Sequence, residues 1–198
     1  MVTNLRELLI QRAARLQERP ALSTPAWGTL SYAQFRNRVE GVALGLLAQT
    51  PPPAAVGCAS GSPWDWVAEV AAAASGLVWD PAGATLSPDV LGGGRFNDDA
   101  GRGPYHERGH HLGENTPFRD GLTQGEFLGR LSAFNRQLGW DHETRVALPL
   151  ACLAEPPVRA GLWCALFAGA HLVLEPPSAG RTWEEGLVPG LWHADGRP

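Results

Sequence analysis

Three histidines and one glutamate lie within six residues, from His106 to His111. His106 and His110 are four residues apart, a spacing that puts two side chains on one face of a helix, as in zinc hydrolases. Gly103, Pro104, Gly109 and Gly113 lie in or beside this stretch and argue against a helix, and we expect the motif order not to fit the zinc-hydrolase pattern. We therefore expect a surface cluster outside any helix and assign no metal to it, while a metal-assisted hydrolase that uses residues 106–111 stays open as one hypothesis.

The cysteines are the other candidate nucleophiles. Cys58 follows a predicted strand and precedes a predicted helix, a location that favours a reactive thiolate, and Cys152 also follows a predicted strand. With Cys164 they are too few and too dispersed for a disulfide framework or a four-thiolate metal site. We expect Cys58 and Cys152 to be small buried thiols.

Every one of the 16 basic side chains is an arginine. The chain therefore cannot supply a Schiff-base lysine, a lysine general base or a phosphate-binding lysine. The net charge is −4, without the basic field that a general nucleic-acid binder shows, so we expect no nucleic-acid partner.

Neither a secretion signal nor a membrane span is predicted. Charged residues from Arg6 to Arg15 interrupt the N-terminal segment, so it has no apolar signal region. The most apolar later stretch, residues 67–79, contains Glu69 and is too short to cross a bilayer. We expect a cytoplasmic protein without a membrane partner.

The length and composition predict one folded unit. The chain has 198 residues, of which 44% are hydrophobic, enough to build a core without disulfides. We predict a single α/β domain over 1–198 and divide it by its residue patterns. The segments are 1–50 with two helices and a hairpin, 54–81 with a first βαβ unit, 83–121 as a Gly-rich irregular segment, 122–176 with a helix and a second βαβ unit, and 177–198 as an irregular tail.

Capping residues mark the helix starts. Three pairs combine a capping side chain with Glu or Gln three residues later: Asn4 with Glu7, Ser31 with Gln34, and Thr123 with Glu126. Ser62 is predicted to cap a further helix with Pro63 at its first position, and Pro156 opens another.

Two segments have the same order of elements. Residues 55–81 and 145–176 each run strand, proline-marked helix start, alanine-rich helix, glycine and strand, then an acidic residue and proline. Each predicts a βαβ unit, which packs on a parallel sheet. The predicted fold is α/β, a mainly parallel sheet with helices on both faces.

The order of these patterns resembles a known family. NLRELLIQRAARLQERPAL, TLSYAQFRNRVEGVALGLLA and VGCASGSPWDWVAEVAAAASGLVWDP are similar to the opening of the adenylate-forming enzymes, the acyl-CoA synthetase and luciferase superfamily. The segment from Gly121 to Pro177 resembles the part of those enzymes just after their phosphate loop. The resemblance covers about two-thirds of the chain and implies an acyl-CoA-synthetase-like N-terminal subdomain.

The resemblance also implies where a phosphate loop should lie, and there the sequence departs from the family. The family loop ends in Gly-x-Pro-Lys-Gly and wraps ATP with backbone N–H groups and a lysine charge. The corresponding stretch is 110–121, in which Glu114 and Asp120 would repel a triphosphate. The vestigial loop positions are Gly113, Asn115, Thr116, Arg119 and Gly121.

Further family features have no counterpart. The family's Leu-Thr-His reads Leu122-Thr123-Gln124, so its histidine is replaced. The adenine-binding segment, the ribose-binding aspartate and the lid with its catalytic lysine would come after the last residue of this sequence. A concavity of inward N–H groups over 110–121 would keep nucleotide binding open, whereas a chain that fills this space would close it.

We therefore expect a non-catalytic relative of these enzymes, without a cofactor or catalytic residues, that acts by binding a ligand or a protein. The alternative is a subunit of an acyl-CoA synthetase or AMP-dependent ligase that needs a partner chain for activity. Trp27, Trp183 and Trp192 lie outside the predicted regular elements. They predict an exposed Trp-rich surface through which a homo-oligomer or a protein partner would bind.

Overall fold

The computed structural model describes residues 2–49, 51–57, 60–80, 103–119, 121–153 and 155–175. The predictions for Cys58, for residues 83–102 and for the tail over 177–198, including Trp183 and Trp192, lie outside these ranges.

The described residues form helices, short strands and one 3-10 turn. The helices are α1 (Leu5–Leu16), α2 (Tyr32–Leu47), α3 (Trp64–Ala74), α4 (Pro104–Gly109), α5 (Gln124–Leu138) and α6 (Pro156–Ala168), and the 3-10 turn is Leu150–Cys152. The strands are β1 (Pro20–Thr24), β2 (Gly28–Ser31), β3 (Ala55–Val56), β4 (Val78–Trp79), β5 (Pro117–Arg119), β6 (Leu122–Thr123), β7 (Arg145–Pro149) and β8 (His171–Glu175).

The predicted caps are confirmed at the helices that they start. The Asn4 side chain accepts a hydrogen bond from the Glu7 backbone N–H at 2.9 Å. Helices α2 and α5 each begin with both hydrogen bonds of a capping box. The start of α3 differs by one position, because Pro63 is the cap and the Ser62 hydroxyl accepts from the Trp64 N–H at 3.3 Å.

One prediction about local structure is wrong. The irregular segment predicted over 83–121 contains helix α4 and strand β5. Pro104 occupies the first helical position, where its missing N–H is not needed, and Gly109 is the last helical residue. The two residue types therefore bound a short helix rather than prevent one.

The central sheet has the strand order β2-β1-β8-β7 and is mostly parallel, as predicted. Strand β1 pairs antiparallel with β2 and parallel with β8, through Leu22 opposite Leu172. Strand β8 pairs parallel with β7, which is an edge strand of the sheet and ends at Pro149. Strands β3 and β4 form a separate parallel pair, and β5 and β6 form an antiparallel pair.

Aromatic side chains fill the core between the helices and the sheet. Trp163 on α6 is fully buried and meets the edge or face of three other rings, with centroid distances of 4.9 Å to Trp66 and 5.5 Å to both Phe118 and Phe127. Trp79 is also buried. One hydrophobic cluster includes residues of both βαβ units.

A buried ion pair joins the two βαβ units. Glu69 on α3 and Arg159 on α6 are 1% and 5% exposed, and their carboxylate and guanidinium are in direct contact. The Trp163 indole N–H donates to the other Glu69 carboxylate oxygen at 3.1 Å, and the Arg159 guanidinium lies over the Trp79 ring at 4.9 Å. The carboxylate therefore has a partner at each oxygen, which a buried charge needs.

Two further tryptophans lie at the surface. Trp27, in the β1–β2 turn, and Trp64, at the start of α3, are half-buried and meet edge to face at 4.8 Å. The Arg38 guanidinium covers the Trp27 ring at 4.2 Å. None of the helices in the described ranges is both long and apolar enough to cross a bilayer.

Candidate functional site

The segment predicted as a vestigial phosphate loop begins with a tight turn. The Thr116 N–H donates to the Gly113 carbonyl at 3.1 Å, and the Gly113 N–H donates to the Thr116 hydroxyl at 2.9 Å. Two backbone donors of the turn are thus satisfied by the turn itself. A loop that binds phosphate instead directs such N–H groups at the ligand.

The start of helix α5 lies against this turn, and its first backbone N–H groups also have hydrogen-bond acceptors within the protein. The Gln124 N–H donates to the Thr116 carbonyl and the Gly125 N–H to the Glu114 carbonyl, each at 2.8 Å. The Glu126 N–H donates to the Thr123 hydroxyl at 3.3 Å. The first N–H groups of a helix are the ones that bind anions, and three of them here already have an acceptor.

Close packing fixes the turn to the helix. A side chain at Gly125 would meet the Glu114 side chain at 2.7 Å and its carbonyl oxygen at 2.9 Å. Such contacts leave no room even for a methyl group. The absence of a side chain at Gly125 therefore allows the Glu114 carbonyl to reach the helix N-terminus.

Gln124 has a structural position that the sequence did not predict. It is fully buried, and its side-chain oxygen accepts from the Leu5 N–H at 2.8 Å. Its side-chain nitrogen donates to the Ala73 carbonyl at 2.8 Å. One amide thus joins the start of α1, the end of α3 and the start of α5.

The hairpin that follows the turn is anchored in the core. Phe118 is fully buried and stacks on Phe127 with a centroid distance of 4.6 Å. Gly121 has a φ of 75°, the left-handed conformation that the turn between β5 and β6 requires. Phe118 thus packs into the core beside this turn.

An open depression lies beside the turn. Its volume is about 590 Å³, and its lining includes three of the five predicted loop positions, Gly113, Asn115 and Thr116. Arg119 and Gly121 are not among its lining residues. The predicted positions are therefore brought together only in part.

The charges around the depression are mixed. Arg108, His111 and Glu114 all line it, so a cationic and an anionic side chain share one rim. The Arg108 Nε donates to the Ser75 carbonyl at 3.1 Å, which directs this guanidinium toward the end of α3. Such a rim does not concentrate positive charge in the way that a triphosphate site requires.

The predicted histidine cluster lies on the neighbouring helix α4 and at its C-terminal end, where His110 is the C-cap. His106 and His110 are exposed, and their rings meet edge to face with a centroid distance of 4.9 Å. The helix brings this pair together, contrary to the expectation of an irregular cluster. Within the described part of the chain, no group of three or more His, Cys, Asp or Glu side chains could share a metal ion.

A hydrogen-bonded polar row crosses one face of the central sheet. The Ser23 hydroxyl is 2.7 Å from the Thr29 hydroxyl and 2.8 Å from the His171 Nε2. Burial lowers the pKa of His171, and the nearby charge of Arg145 lowers it further. A serine next to a neutral imidazole is the start of a nucleophilic site, but mid-strand N–H groups are used by the sheet, so no oxyanion hole forms from them.

The described cysteines are not activated. Burial raises the pKa of the Cys164 thiol to about 12. A hydrogen bond with Glu155 raises the pKa of Cys152, which is half-buried rather than buried as predicted. Neither thiol is a candidate nucleophile at neutral pH.

Comparison with known proteins identifies the fold. The sequence matches no protein-family model and no curated protein at a significant level. Among solved structures, the N-terminal subdomain of NpsA from Klebsiella oxytoca is similar, with 17% identity and a TM-score of 0.59 over 91% of this chain and 55% of that one.

Two acyl-CoA ligase structures give the same result. The N-terminal domain of FACL13 from Mycobacterium tuberculosis matches with 16% identity and a TM-score of 0.59, over 89% of this chain and 58% of that one. A protein described as a long-chain-fatty-acid CoA ligase, from Rhodopseudomonas palustris, matches with 16% identity and a TM-score of 0.61, over 88% of this chain and 58% of that one. The chain thus has the fold of the N-terminal subdomain of adenylation domains and acyl-CoA ligases, and it spans a little over half the length of these structures.

Proposed function

We propose that this chain is a non-catalytic protein on an adenylate-forming scaffold and that it acts by binding a ligand or another protein. The observation that carries the proposal is the closed turn from Gly113 to Thr116. The hydroxyl and carbonyl groups of the turn accept hydrogen bonds from its own Gly113 and Thr116 N–H groups and from the Gln124 and Gly125 N–H groups of α5, and the Thr123 hydroxyl accepts from the Glu126 N–H.

The hydrogen-bonded turn from Gly113 to Thr116 and the charges beside it both oppose nucleotide binding. A triphosphate could gain these donors only by breaking internal hydrogen bonds, each worth about 0.5–1.5 kcal/mol. The Glu114 carboxylate on the rim would repel the phosphates, and the chain has no lysine to balance it. In this proposal the protein keeps the fold but lacks the groups that would activate a carboxylic acid.

The test measures acyl-adenylate formation and ligand binding on the full chain. We expect no ATP–pyrophosphate exchange above background with a panel of aliphatic and aromatic carboxylic acids. We also expect no heat of binding for ATP with Mg²⁺ or for 3-hydroxyanthranilyl-AMSN, a compound solved in complex with the NpsA subdomain. An active adenylate-forming enzyme serves as the positive control in each assay.

The outcomes separate the alternatives. Exchange by the isolated chain would overturn the proposal. Exchange that appears only when a second chain is added would favour the ligase-subunit alternative instead.

Self-association is the simplest form of protein binding that we propose, and the half-buried pair Trp27 and Trp64 is the surface for it. Aromatic residues and arginine are enriched in protein interfaces, and Arg38 lies over both rings. Sedimentation of the full chain measures its size. A protein that sediments as a monomer at all concentrations would contradict the proposal of self-association.

A further inference from the structure

Helix α4 and its C-cap residue, which keeps a right-handed helical backbone conformation, present two imidazoles to solvent at the i, i+4 spacing of a metal chelate. His106 and His110 are both exposed, and their ring centroids are 4.9 Å apart. Residues four apart on a helix share a face, so one ion can reach both rings. Imidazole nitrogens are ligands that zinc, copper and nickel ions favour.

The residue order supports the same chemistry. Residues 106–110 read His-Glu-x-x-His, a pattern that places two zinc ligands on one helical face. The expectation that this order does not fit the zinc-hydrolase pattern is wrong, because Glu107 follows His106 directly and two residues separate Glu107 from His110. The pattern indicates a zinc site only when the segment is helical, and here the helix runs from Pro104 to Gly109.

The helix is held firmly against the rest of the protein. The Arg6 guanidinium stacks on the Tyr105 ring at 3.8 Å and donates to the Tyr105 carbonyl. On the other side, the Arg108 Nε donates to the Ser75 carbonyl at 3.1 Å. Contacts on both sides of His106 fix the backbone that carries it, which reduces the entropy lost when an ion binds.

We propose that His106 and His110 bind one Zn²⁺ ion, with water in the remaining coordination positions. Catalytic zinc sites have three protein ligands, and the described residues offer no cluster of three. The proposal is therefore a binding site and not a hydrolase centre. It stands independently of the proposed function.

The experiment titrates ZnCl₂ into the full metal-free chain by calorimetry in a non-chelating buffer near pH 7.5. We expect one saturable site. Either His106→Ala or His110→Ala should weaken the affinity about tenfold or more, since each removes one of two protein ligands. Both side chains are exposed, so circular dichroism should show folded variants.

Two control variants test whether zinc binding requires the pair of His106 and His110 or only the presence of exposed histidines. His142→Ala changes an exposed histidine after α5, and His111→Ala changes the residue next to the pair. Both should bind zinc as the unmodified chain does. The proposal is overturned if the unmodified chain shows no saturable binding, or if the pair variants bind as tightly as these controls.

Discussion

At the scale of single residues, the fold depends on a few buried polar groups that the sequence pattern did not reveal. Gln124 looked like the loss of a family histidine, but its amide joins three helices. Capping pairs such as Thr123 with Glu126 were predictable, because both partners are near in sequence. A partner such as Leu5, far along the chain from Gln124, was not.

Gln124→Ala should therefore destabilise the protein strongly. It leaves the Leu5 N–H and the Ala73 carbonyl without their buried partners, for an expected loss on the order of 2–4 kcal/mol in the free energy of unfolding. Gln137→Ala, an exposed change on the same helix, is the matched control and should shift stability by less than about 0.5 kcal/mol. Urea unfolding measures both, and equal midpoints would contradict the structural role of Gln124.

His171 should make stability depend on pH. Burial and Arg145 lower its pKa in the folded state, so the unfolded chain takes up the proton first as the pH falls. The contribution of neutral His171 to the free energy of unfolding is fully present above the ordinary histidine pKa of about 6.5. It is lost as the pH falls from there through the lower pKa that His171 has in the folded state. Between pH 7 and pH 5, His171→Asn should lose less stability than the unmodified chain in urea titrations. Parallel curves for the two proteins would contradict this assignment.

At the scale of elements, the helices that carry clear caps were predictable and the short elements were not. Strands β3 and β4 have two residues each, shorter than their apolar runs suggested. Helix α4 was not predicted, because glycine and proline usually indicate a break in a helix. Proline at the first position of a helix and glycine at its last position do not break it, and Pro104 and Gly109 occupy these positions. The hydrogen bonds from the start of α5 to the Glu114 and Thr116 carbonyls depend on how the turn packs on the helix and could not be predicted from the residues of the turn.

The pair of Glu69 and Arg159 should be the strongest single link between two helices. Glu69→Gln keeps the volume but leaves a buried guanidinium without its counter-charge, with an expected loss of about 3–5 kcal/mol. The double variant Glu69→Leu with Arg159→Met should be more stable than the single variant, because no charge stays unpaired. A single variant as stable as the unmodified chain would contradict this role.

The exposed pair of Arg19 and Glu143 is the control for this experiment, with an N–O distance of 2.5 Å. Solvent screens this pair, so Glu143→Gln should change the unfolding midpoint far less than Glu69→Gln does. Thermal and urea unfolding of the two variants give the comparison directly.

At the scale of the whole molecule, one core connects both βαβ units, and identity of 17% or less is compatible with a shared fold. The periodic spacing of buried apolar residues along helices and strands can be kept while most of the individual side chains change. This is why the order of elements could be predicted from the sequence. The activity could not, because it depends on the few groups that form a site.

A shared core predicts one cooperative unfolding transition. Trp66 and Trp163, which belong to different βαβ units, are in ring contact at 4.9 Å. Unfolding of either unit should therefore change tryptophan fluorescence together with far-ultraviolet circular dichroism. Two separated transitions would show that the units fold independently and would contradict the prediction of a single domain.

The pairing of β1 with β8 has a consequence for how the protein is made. Leu22 lies beside Leu172, so a strand from the beginning of the sequence is completed only by one near its end. During synthesis on the ribosome, the open edge of the first hairpin stays uncovered until the roughly 150 residues between Leu22 and Leu172 have been made. The protein should therefore fold slowly for its size, and its nascent chain should depend on chaperones until β8 arrives.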